Sequence, residues 1–362
     1  MALTFDTVDH QPHHHASDAD IAAVHANPGF GTYFTDHMVV ADWTDGDGWH
    51  DGRVQPYGPF QIDPASAVLH YAQEIFEGLK AYRHEDGSVW LFRPEKNAER
   101  FARSARRLAL PELPTEDFVA SIEALVRADP RWVPGGPDQS LYLRPFMIAN
   151  ENFLGVRPAH RVLYAVIASP VGAYFTGGVR PVDIWISTDF TRAAPGGTGA
   201  AKCGGNYAAS LLPQQQAYDQ GCSQVLFLDG REQRWIEELG GMNMFVVTSD
   251  GRLVTPELSG SILEGVTRDS ILQVARELGL EPEERRLSID ELREGVSSGR
   301  IAEVFACGTA AVVTPINRFR STTDDLQVPG APGRYTMEIR QQLLDIQSGR
   351  RDDSHGWMRR VL

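Results

Sequence analysis

The chain has 362 residues, and at roughly 150 residues per domain this length indicates two domains. Hydrophobic residues make up 42% and charged residues 23% of the sequence, which is typical of a globular protein and excludes disordered and fibrous classes. The formal net charge of −14 is spread along the chain and repels phosphate backbones and anionic lipids, so we expect no nucleic-acid partner and no membrane partner.

The compartment is indicated by the first residues and by the cysteines. The beginning of the chain, MALTFDTVDH, has no basic flank followed by an apolar core, so no signal peptide is predicted. The three cysteines, at positions 203, 222 and 307, have neither the pattern of a disulfide framework nor the spacing of a zinc site. They favour a reducing cytoplasm. The histidines at 13–15 are more typical of an exposed terminus than of a ligand set, so no metal is predicted.

The first half of the chain predicts a smaller N-terminal α/β domain over residues 27–171, after a flexible leader over residues 1–26. Apolar runs bounded by turn residues predict strands over His37–Trp43, Leu79–Arg83, Val89–Arg93, Leu141–Ile148 and Arg161–Ala168. Helices are predicted over Pro94–Leu108, with Pro94 at a first helical position, and over Thr115–Ala128.

Glycine and proline are concentrated over residues 172–181, where we place an interdomain linker. The larger C-terminal domain, over residues 182–362, alternates between the two kinds of element. Its predicted strands are Val182–Thr188, Val225–Leu228, Met242–Thr248 and Glu303–Cys307, and its predicted helices are Arg268–Leu278, Asp290–Ser297 and Tyr335–Ile346. Strands interleaved with helices and hairpins indicate an α/β (α+β) class with mixed sheets.

The most informative segment places Lys202 among five glycines, between Ala194 and Tyr207. A lysine held in an apolar, glycine-lined setting loses hydration and becomes a usable nucleophile, as a Schiff base with an aldehyde cofactor requires. A flexible surface loop with its lysine in water explains the same composition about equally well.

Two turns offer backbone N–H groups to a phosphate. Gly265-Val266-Thr267 precedes the helix predicted to begin near Arg268, and Thr267 can cap it. Cys307-Gly308-Thr309-Ala310 follows a strand. Each turn alone is weak evidence, since most such turns are structural.

The chain resembles the branched-chain amino acid aminotransferases, which are pyridoxal-phosphate enzymes of fold type IV. The resemblance runs from about Phe30 to the C-terminus. It is carried by Leu69-His-Tyr71, Phe76-Glu-Gly78, Asn97-Ala-Glu-Arg100, Tyr142-Leu-Arg144, Lys202-Cys-Gly-Gly-Asn-Tyr207, Glu238-Leu-Gly-Gly-Met-Asn243, Gly265-Val-Thr267 and Gly308-Thr-Ala310, in this order. It implies a two-domain fold with pyridoxal 5′-phosphate between the domains, and a homodimer.

The resemblance also implies roles for individual residues around the cofactor. Lys202 would form the Schiff base and move the proton at the substrate's α-carbon. Glu238 would pair with the pyridine nitrogen, for which the neighbouring Glu237 is the less suitable carboxylate, and Tyr207 would donate to the phenolate oxygen. The phosphate would be held by Arg100, Arg192, Val266, Thr267 and Thr309.

The substrate pocket follows from the same resemblance. An apolar slot would be lined by Phe30, Phe76, Tyr174 and Gly241, with Tyr71, Leu154 and Val156 contributed by the partner subunit. Tyr142 and Arg144 would accept the distal carboxylate of 2-oxoglutarate, and the backbone near Thr309 and Ala310 would accept the α-carboxylate. Where some relatives carry a Cys-x-x-Cys pair, this chain has Ala311 and Thr314, so that thiol switch should be absent.

We therefore expect a cytoplasmic, homodimeric transaminase that exchanges amino groups between leucine, isoleucine or valine and 2-oxoglutarate by a ping-pong mechanism. Two rivals keep the fold and the cofactor, a D-amino acid transaminase and a lyase acting on aminodeoxychorismate. A catalytically silent pyridoxal-phosphate-binding protein and a cofactor-free Schiff-base aldolase are the alternatives from other classes.

Overall fold

The computed structural model describes residues 2–8, 15–172 and 178–362, and the chain divides into two compact units. The first unit contains Met1–Tyr174, Ala201–Gly204 and Ile346–Leu362, and the second contains Phe175–Ala200 and Gly205–Asp345. Each unit combines a β-sheet with helices, so the predicted α/β class with mixed sheets is confirmed. Two short segments from later in the chain thus complete the first unit.

The elements are numbered in chain order. The strands are β1 Asp6–Thr7, β2 His37–Thr44, β3 Gly48–Pro56, β4 Glu74–Phe76, β5 Leu79–Arg83, β6 Val89–Phe92, β7 Ser140–Ala149, β8 Arg161–Val171, β9 Val182–Ile186, β10 Gln224–Leu228, β11 Ile236–Leu239, β12 Asn243–Thr248, β13 Arg252–Thr255, β14 Glu281–Glu284, β15 Ile301–Gly308, β16 Val312–Arg320, β17 Asp325–Gln327 and β18 Met358–Arg360. The helices are α1 Asp18–Ala26, α2 Ala67–Tyr71, α3 Pro94–Arg107, α4 Thr115–Ala128, α5 Gly204–Ala208, α6 Leu211–Asp219, α7 Val266–Glu277, α8 Ile289–Ser298 and α9 Arg334–Gln347, with a 3₁₀ turn over Pro130–Trp132. Every predicted strand and helix is confirmed to within three residues at either end.

The sheet of the first unit has the order β1-β3-β2-β8-β7-β5-β6-β18, with β4 paired to β7. Both faces of its central strands are buried. In β2, Val39 and Ala41 join the larger core, whereas Met38 and Val40 join a separate cluster. Successive side chains of a strand point to opposite faces, which explains why β2 is an unbroken apolar run in the sequence.

Helix α3 is anchored to this sheet by Phe101, which is fully buried. Its ring lies 5.3 Å from Phe118 of α4 and 5.7 Å from Tyr164 of β8, centroid to centroid. Burying an aromatic side chain of this size contributes about 2 kcal/mol. Pro94 is the first residue of α3, as predicted. The helix therefore holds Arg100, one position before Phe101, at the surface of the core.

Residues 18–26, which the sequence places in the flexible leader, form helix α1. Ser17 accepts from the Asp20 N–H and Asp20 accepts from the Ser17 N–H, which is a capping box. Ile21 is buried, and the Ala16 N–H donates to Asp36 at 2.9 Å. The prediction missed the helix because only one of its residues is buried, so it carries no apolar stripe.

The sheet of the second unit has the order β11-β10-β9-β16-β15-β12-β13-β14, with β17 paired to β16. In β10, Leu226 and Leu228 face the main core, whereas Val225 and Phe227 pack in a second cluster with Ala217 of α6. The β10–β11 hairpin places β11 at one end of this strand order. Two consecutive glutamates, at 237 and 238, lie on that end strand.

Candidate active site

Lys202 lies beside an aromatic ring in the first unit. Its Nζ is 4.7 Å from the centroid of the Phe76 ring. Its N–H donates to Ser104 Oγ at 2.9 Å, and its carbonyl accepts from the Phe76 N–H at 2.9 Å. The residue is half-buried, so the interpretation as a surface loop with its lysine in water is wrong. An amine that is partly shielded from water and held from both sides by its backbone is well placed to act as a nucleophile.

The other two lysines of the chain differ from Lys202 in their burial and their contacts. Lys80 is a buried residue of β5, and Lys96 is exposed on α3 with its Nζ 2.8 Å from a glutamate three residues later. Of the two glycines after Lys202, Gly204 also has a steric reason. The Gly204 N–H donates to Glu74 Oε1, and a Cβ on Gly204 would lie only 3.2 Å from Glu74 Cδ.

Four of the predicted substrate residues lie with Lys202 in one group, which we call the Lys202 cluster: Lys202, Phe30, Phe76, Tyr142 and Arg144. The guanidinium carbon of Arg144 is 4.8 Å from the Phe76 ring centroid, and its Nη2 donates to the Tyr142 hydroxyl at 3.1 Å. The Phe30 ring lies 5.2 Å from that of Tyr142. The cluster combines an amine, a cation and an apolar wall, which suits an amino acid or a dicarboxylate.

Gly78 is required by the position of Tyr142. A Cβ at residue 78 would overlap the Tyr142 hydroxyl and lie 2.8 Å from its Cζ.

Arg100, predicted to hold phosphate, donates from Nε to Oε1 of Glu77 at 2.7 Å and from Nη2 to Oε2 at 2.8 Å. Arg100 is therefore not part of a solvated helix face.

Glu238 is the centre of a second group, formed with Arg192 and Asn243 in the second unit. Its carboxylate is 2% exposed and lies 2.7 Å from Arg192 Nη2, which is itself 3% exposed. Asn243 Nδ2 and the Leu263 N–H each donate to it at 3.2 Å. Arg192, which the resemblance assigns to the phosphate, thus has one of its nitrogens on this carboxylate. The group holds a buried acid by a cation and two neutral donors.

Glu237 precedes Glu238 on the same strand but has different surroundings. It accepts from Ser261 Oγ, and its Oε2 is buried without a hydrogen-bond partner among the described residues. Burial raises the pKa of Glu237, although the Ser261 hydrogen bond and the charge of Arg192 oppose the shift. The two neighbouring glutamates therefore differ in their partners. Glu238 has a cation in direct contact, whereas the hydrogen-bond donor to Glu237 is a neutral hydroxyl.

The predicted cap at Thr267 is wrong. Helix α7 begins at Val266, its N-cap is Gly265, and Thr267 lies within the first turn. A glycine is needed at the cap because a Cβ there would overlap Asn243 Oδ1. The first N–H groups of a helix have no intrahelical partner and carry a partial positive charge, so Val266 and Thr267 begin a helix end suited to an anion.

The remaining residues of the second unit that are predicted to bind the cofactor or substrate lie in turns and a short helix. Thr309 and Ala310 form the turn between β15 and β16, and both are half-buried. Tyr207 of α5 is half-buried, and a Cβ on Gly241 would lie 3.6 Å from its ring. Ala311 and Thr314, at the positions of the absent thiol pair, are buried.

Three predicted substrate residues are exposed in the single chain. The exposed fractions are 42% for Tyr71, 59% for Leu154 and 85% for Val156, and the Tyr71 hydroxyl donates to the Leu154 carbonyl. These are large apolar side chains that a monomer leaves in water. Tyr174, the remaining member of the predicted slot, lies outside the described residues.

The described residues contain no group of three His, Cys, Asp or Glu side chains placed to hold a metal ion. The three cysteines are free thiols and all are buried. Within the described part of the chain, none of the helices has the length and apolar character that crossing a bilayer requires.

Sequence reasoning assigned no role to Glu77, Gly78 or Asn243. Each lies inside a motif that carried the resemblance, but nothing in the local sequence indicates what its side chain contacts. Glu77 is bound by a residue 23 positions later. A pairing of this kind leaves no periodic pattern in the sequence. The one available signal is a glutamate placed between an apolar residue and a glycine, where a charged side chain is unusual.

Comparison with known proteins agrees with these features. Residues 74–319 match a family described as amino-transferase class IV. The chain is 58% identical over 359 residues to a protein of Streptomyces coelicolor named probable branched-chain-amino-acid aminotransferase, covering 98% of this chain and 99% of that protein. It is 56% identical over 351 residues to the branched-chain-amino-acid aminotransferase of Mycolicibacterium smegmatis, covering 96% and 95%.

A solved structure shares the fold. The branched-chain amino acid aminotransferase of Escherichia coli superposes with a TM-score of 0.74 at 29% sequence identity. The match covers 89% of this chain and 99% of that one.

Proposed function

The chain belongs to the class IV aminotransferases, and we propose that it transfers amino groups between L-leucine, L-isoleucine or L-valine and 2-oxoglutarate. The observation that carries this proposal is the Lys202 cluster, in which one amine lies against Phe76 with Arg144 on the same ring. The two relatives described above are named as a probable branched-chain-amino-acid aminotransferase and a branched-chain-amino-acid aminotransferase, and both match nearly the whole chain.

Pyridoxal phosphate supplies an aldehyde for a lysine amine and a ring that withdraws electrons from the substrate's α-carbon. The donor set fits its demands. We propose that Lys202 holds the aldehyde carbon, Glu238 the pyridine nitrogen and Tyr207 the phenolate oxygen. We propose Arg100, Arg192, Val266, Thr267 and Thr309 as the residues that hold the phosphate. The helix end at Val266 and the buried Arg100 support this assignment.

The chain's own groups then have separate tasks. Lys202 takes the proton from the substrate's α-carbon and returns it, because an unprotonated amine is a general base. Glu238, ion-paired with Arg192, would favour a proton on the pyridine nitrogen. Asn243 limits the directions in which the Glu238 carboxylate can turn.

We propose that one pocket serves both substrates. Phe30 and Phe76 of the first unit would provide its apolar wall, which suits a branched aliphatic side chain. Arg144, already hydrogen-bonded to Tyr142, turns its guanidinium to the distal carboxylate of 2-oxoglutarate. The backbone near Thr309 and Ala310 takes the α-carboxylate.

A homodimer completes the pocket in this proposal, with Tyr71, Leu154 and Val156 provided by the partner subunit. Their exposure in the single chain supports it, because large exposed apolar side chains that lie close together indicate an interface. Analytical ultracentrifugation should give about twice the chain mass of 40.0 kDa, and Val156→Asp should give the monomer mass. Tyr218→Asp, at a position 55% exposed in the second unit, is the matched control that should stay dimeric.

The activity itself is tested by half-reactions. We expect L-leucine to bleach the yellow cofactor colour and 2-oxoglutarate to restore it, whereas D-alanine and aminodeoxychorismate leave it unchanged. Bleaching by D-alanine but not by L-leucine would contradict the substrate class. A colour that no amino acid bleaches would indicate a silent binding protein, and a colourless protein after supplementation would indicate a cofactor-free enzyme.

We place this reaction in the cytoplasm. The buried free thiols of Cys203, Cys222 and Cys307 support a reducing compartment, where such thiols persist.

A further inference from the structure

The consecutive residues Phe76, Glu77 and Gly78 each serve a different group of the candidate site. Phe76 binds the Lys202 carbonyl and lies beside its amine. Gly78 leaves room for Tyr142. Glu77 lies between them, has a fully buried side chain and has no task in the function proposed above.

We propose that Glu77 is a positioning residue that holds the Arg100 guanidinium in place, and that the enzyme's preference for a phosphorylated cofactor depends on this contact. The inference rests on the proposed function, since it takes Arg100 as a phosphate ligand. Glu77 itself touches neither substrate nor cofactor in this account.

The contact between the two residues has two points. Arg100 donates from Nε at 2.7 Å and from Nη2 at 2.8 Å to the two oxygens of Glu77. A planar guanidinium bound along one edge has its plane fixed, so the direction of its remaining N–H bonds is fixed as well. A single hydrogen bond would leave the group free to rotate about that bond.

The carboxylate has further donors that hold it in turn. Asn97 Nδ2 donates to Oε2 at 2.8 Å, and the Gly78 N–H donates to the same oxygen at 3.1 Å. Asn97 and Arg100 lie three residues apart on α3, so they occupy the same face of the helix. Glu77 therefore joins β4 to the helix that carries Arg100.

The charge of Glu77 is balanced by two cations. Burial raises the pKa of the Glu77 carboxyl, but the charges of Arg100 and Lys202 and the hydrogen bonds of Arg100 and Asn97 lower it below its ordinary value. The group is thus an anion at neutral pH. A buried anion with this many donors cannot be replaced by an amide without turning an N–H group towards other donors.

The test compares pyridoxal phosphate with pyridoxal, which lacks the phosphate. Apo-protein from the full chain is titrated with each compound, and the ratio of the two dissociation constants is measured. Glu77→Gln should lower the preference for the phosphorylated form by about 10- to 100-fold, which is the worth of one charge-assisted hydrogen bond, and should change pyridoxal binding by less than about threefold. Glu99→Gln, an exposed change on the same helix, should leave the ratio unaltered.

A double-mutant cycle identifies the route. Arg100→Lys keeps the charge but removes the two-point contact, so it should lower the preference for the phosphorylated form as Glu77→Gln does. The preference of the double variant should be no lower than that of the more strongly affected single variant. Equal weakening of both ligands by Glu77→Gln, or additive effects in the double variant, would overturn the inference.

The outcome separates the two proposals. If Arg100→Lys lowers the ratio and Glu77→Gln does not, only the inference about Glu77 fails. If neither variant changes the ratio, the assignment of Arg100 to the phosphate is wrong, and the inference about Glu77 fails with it. Should Glu77→Gln not fold, Glu77→Asp keeps the charge on a shorter side chain and should still lower the ratio; an unchanged ratio there would also overturn the inference.

Discussion

Glu237 and Glu238 allow a matched pair of substitutions, because they are adjacent, buried and of the same type. Glu238→Gln removes the anion 2.7 Å from Arg192, a residue 3% exposed. Breaking a buried ion pair costs about 3–5 kcal/mol because one charge stays unpaired. Glu237→Gln resembles the protonated form that burial favours, so we expect a cost below about 1 kcal/mol at neutral pH.

The pH dependence gives this prediction a second part. The pKa of Glu237 is raised in the folded protein above its ordinary value of 4.5, so its contribution to stability is full below that value. This contribution is lost as the pH rises through the folded-state pKa. The Glu237→Gln variant lacks the titration and should therefore become more stable relative to the wild type with rising pH.

The assay is urea unfolding of the apo-protein between pH 4 and 8, accompanied by turnover with L-leucine and 2-oxoglutarate. Glu238→Gln should unfold at a clearly lower urea concentration and lose at least about 100-fold in turnover. Glu237→Gln should keep the urea midpoint and the turnover of the wild type. If Glu237→Gln proved as damaging as Glu238→Gln, or if Glu238→Gln were harmless, the charge assignment on this strand would be refuted.

Two further predictions concern single positions. Gly78→Ala should displace the Tyr142 ring, lower the free energy of unfolding in urea by about 1–3 kcal/mol and raise the KM for 2-oxoglutarate. Gly58→Ala, with open space around its Cβ, should change neither the unfolding free energy nor the KM. An unchanged KM in Gly78→Ala would show that Tyr142 can move freely. Burial opposes the charge on Asp229, but backbone N–H groups in its turn hold its pKa at about 2, below the ordinary 3.8, so Asp229→Asn should cost about 2 kcal/mol at pH 7. That cost should shrink as the pH falls from about 4 towards 2, and a cost independent of pH would contradict it, while the exposed Asp47→Asn should show no cost.

The elements that the sequence predicts well are those whose own residues carry the signal. Helices α3 and α4 have a buried stripe and a clear start, and β2 and β8 are apolar runs because both their faces are covered. Helix α1 and strand β18 are among the elements that were not predicted. The helix buries one side chain, and the strand is three residues long and depends on pairing with β6, far away in the sequence.

The site shows the same division between local and distant information. Lys202 and its glycines were identified from residue type and spacing, and the resemblance supplied Phe76, Tyr142 and Arg144, which the fold brings together with it. The ion pairs could not be predicted, because Glu77 and Arg100 are 23 positions apart and no periodicity links them. The cap of α7 was misplaced for a related reason, since the need for Gly265 comes from Asn243 on another element.

Every role proposed for the site depends on Lys202 being the residue that bonds to the cofactor. Borohydride reduction of the holoenzyme followed by peptide mapping tests it directly, and the chain's three lysines, Lys80, Lys96 and Lys202, give three distinguishable outcomes. We expect a pyridoxyl group on the peptide that contains Lys202 and on neither of the other two lysine peptides. A label on Lys80 or Lys96, or a reduced protein with no label, would contradict it.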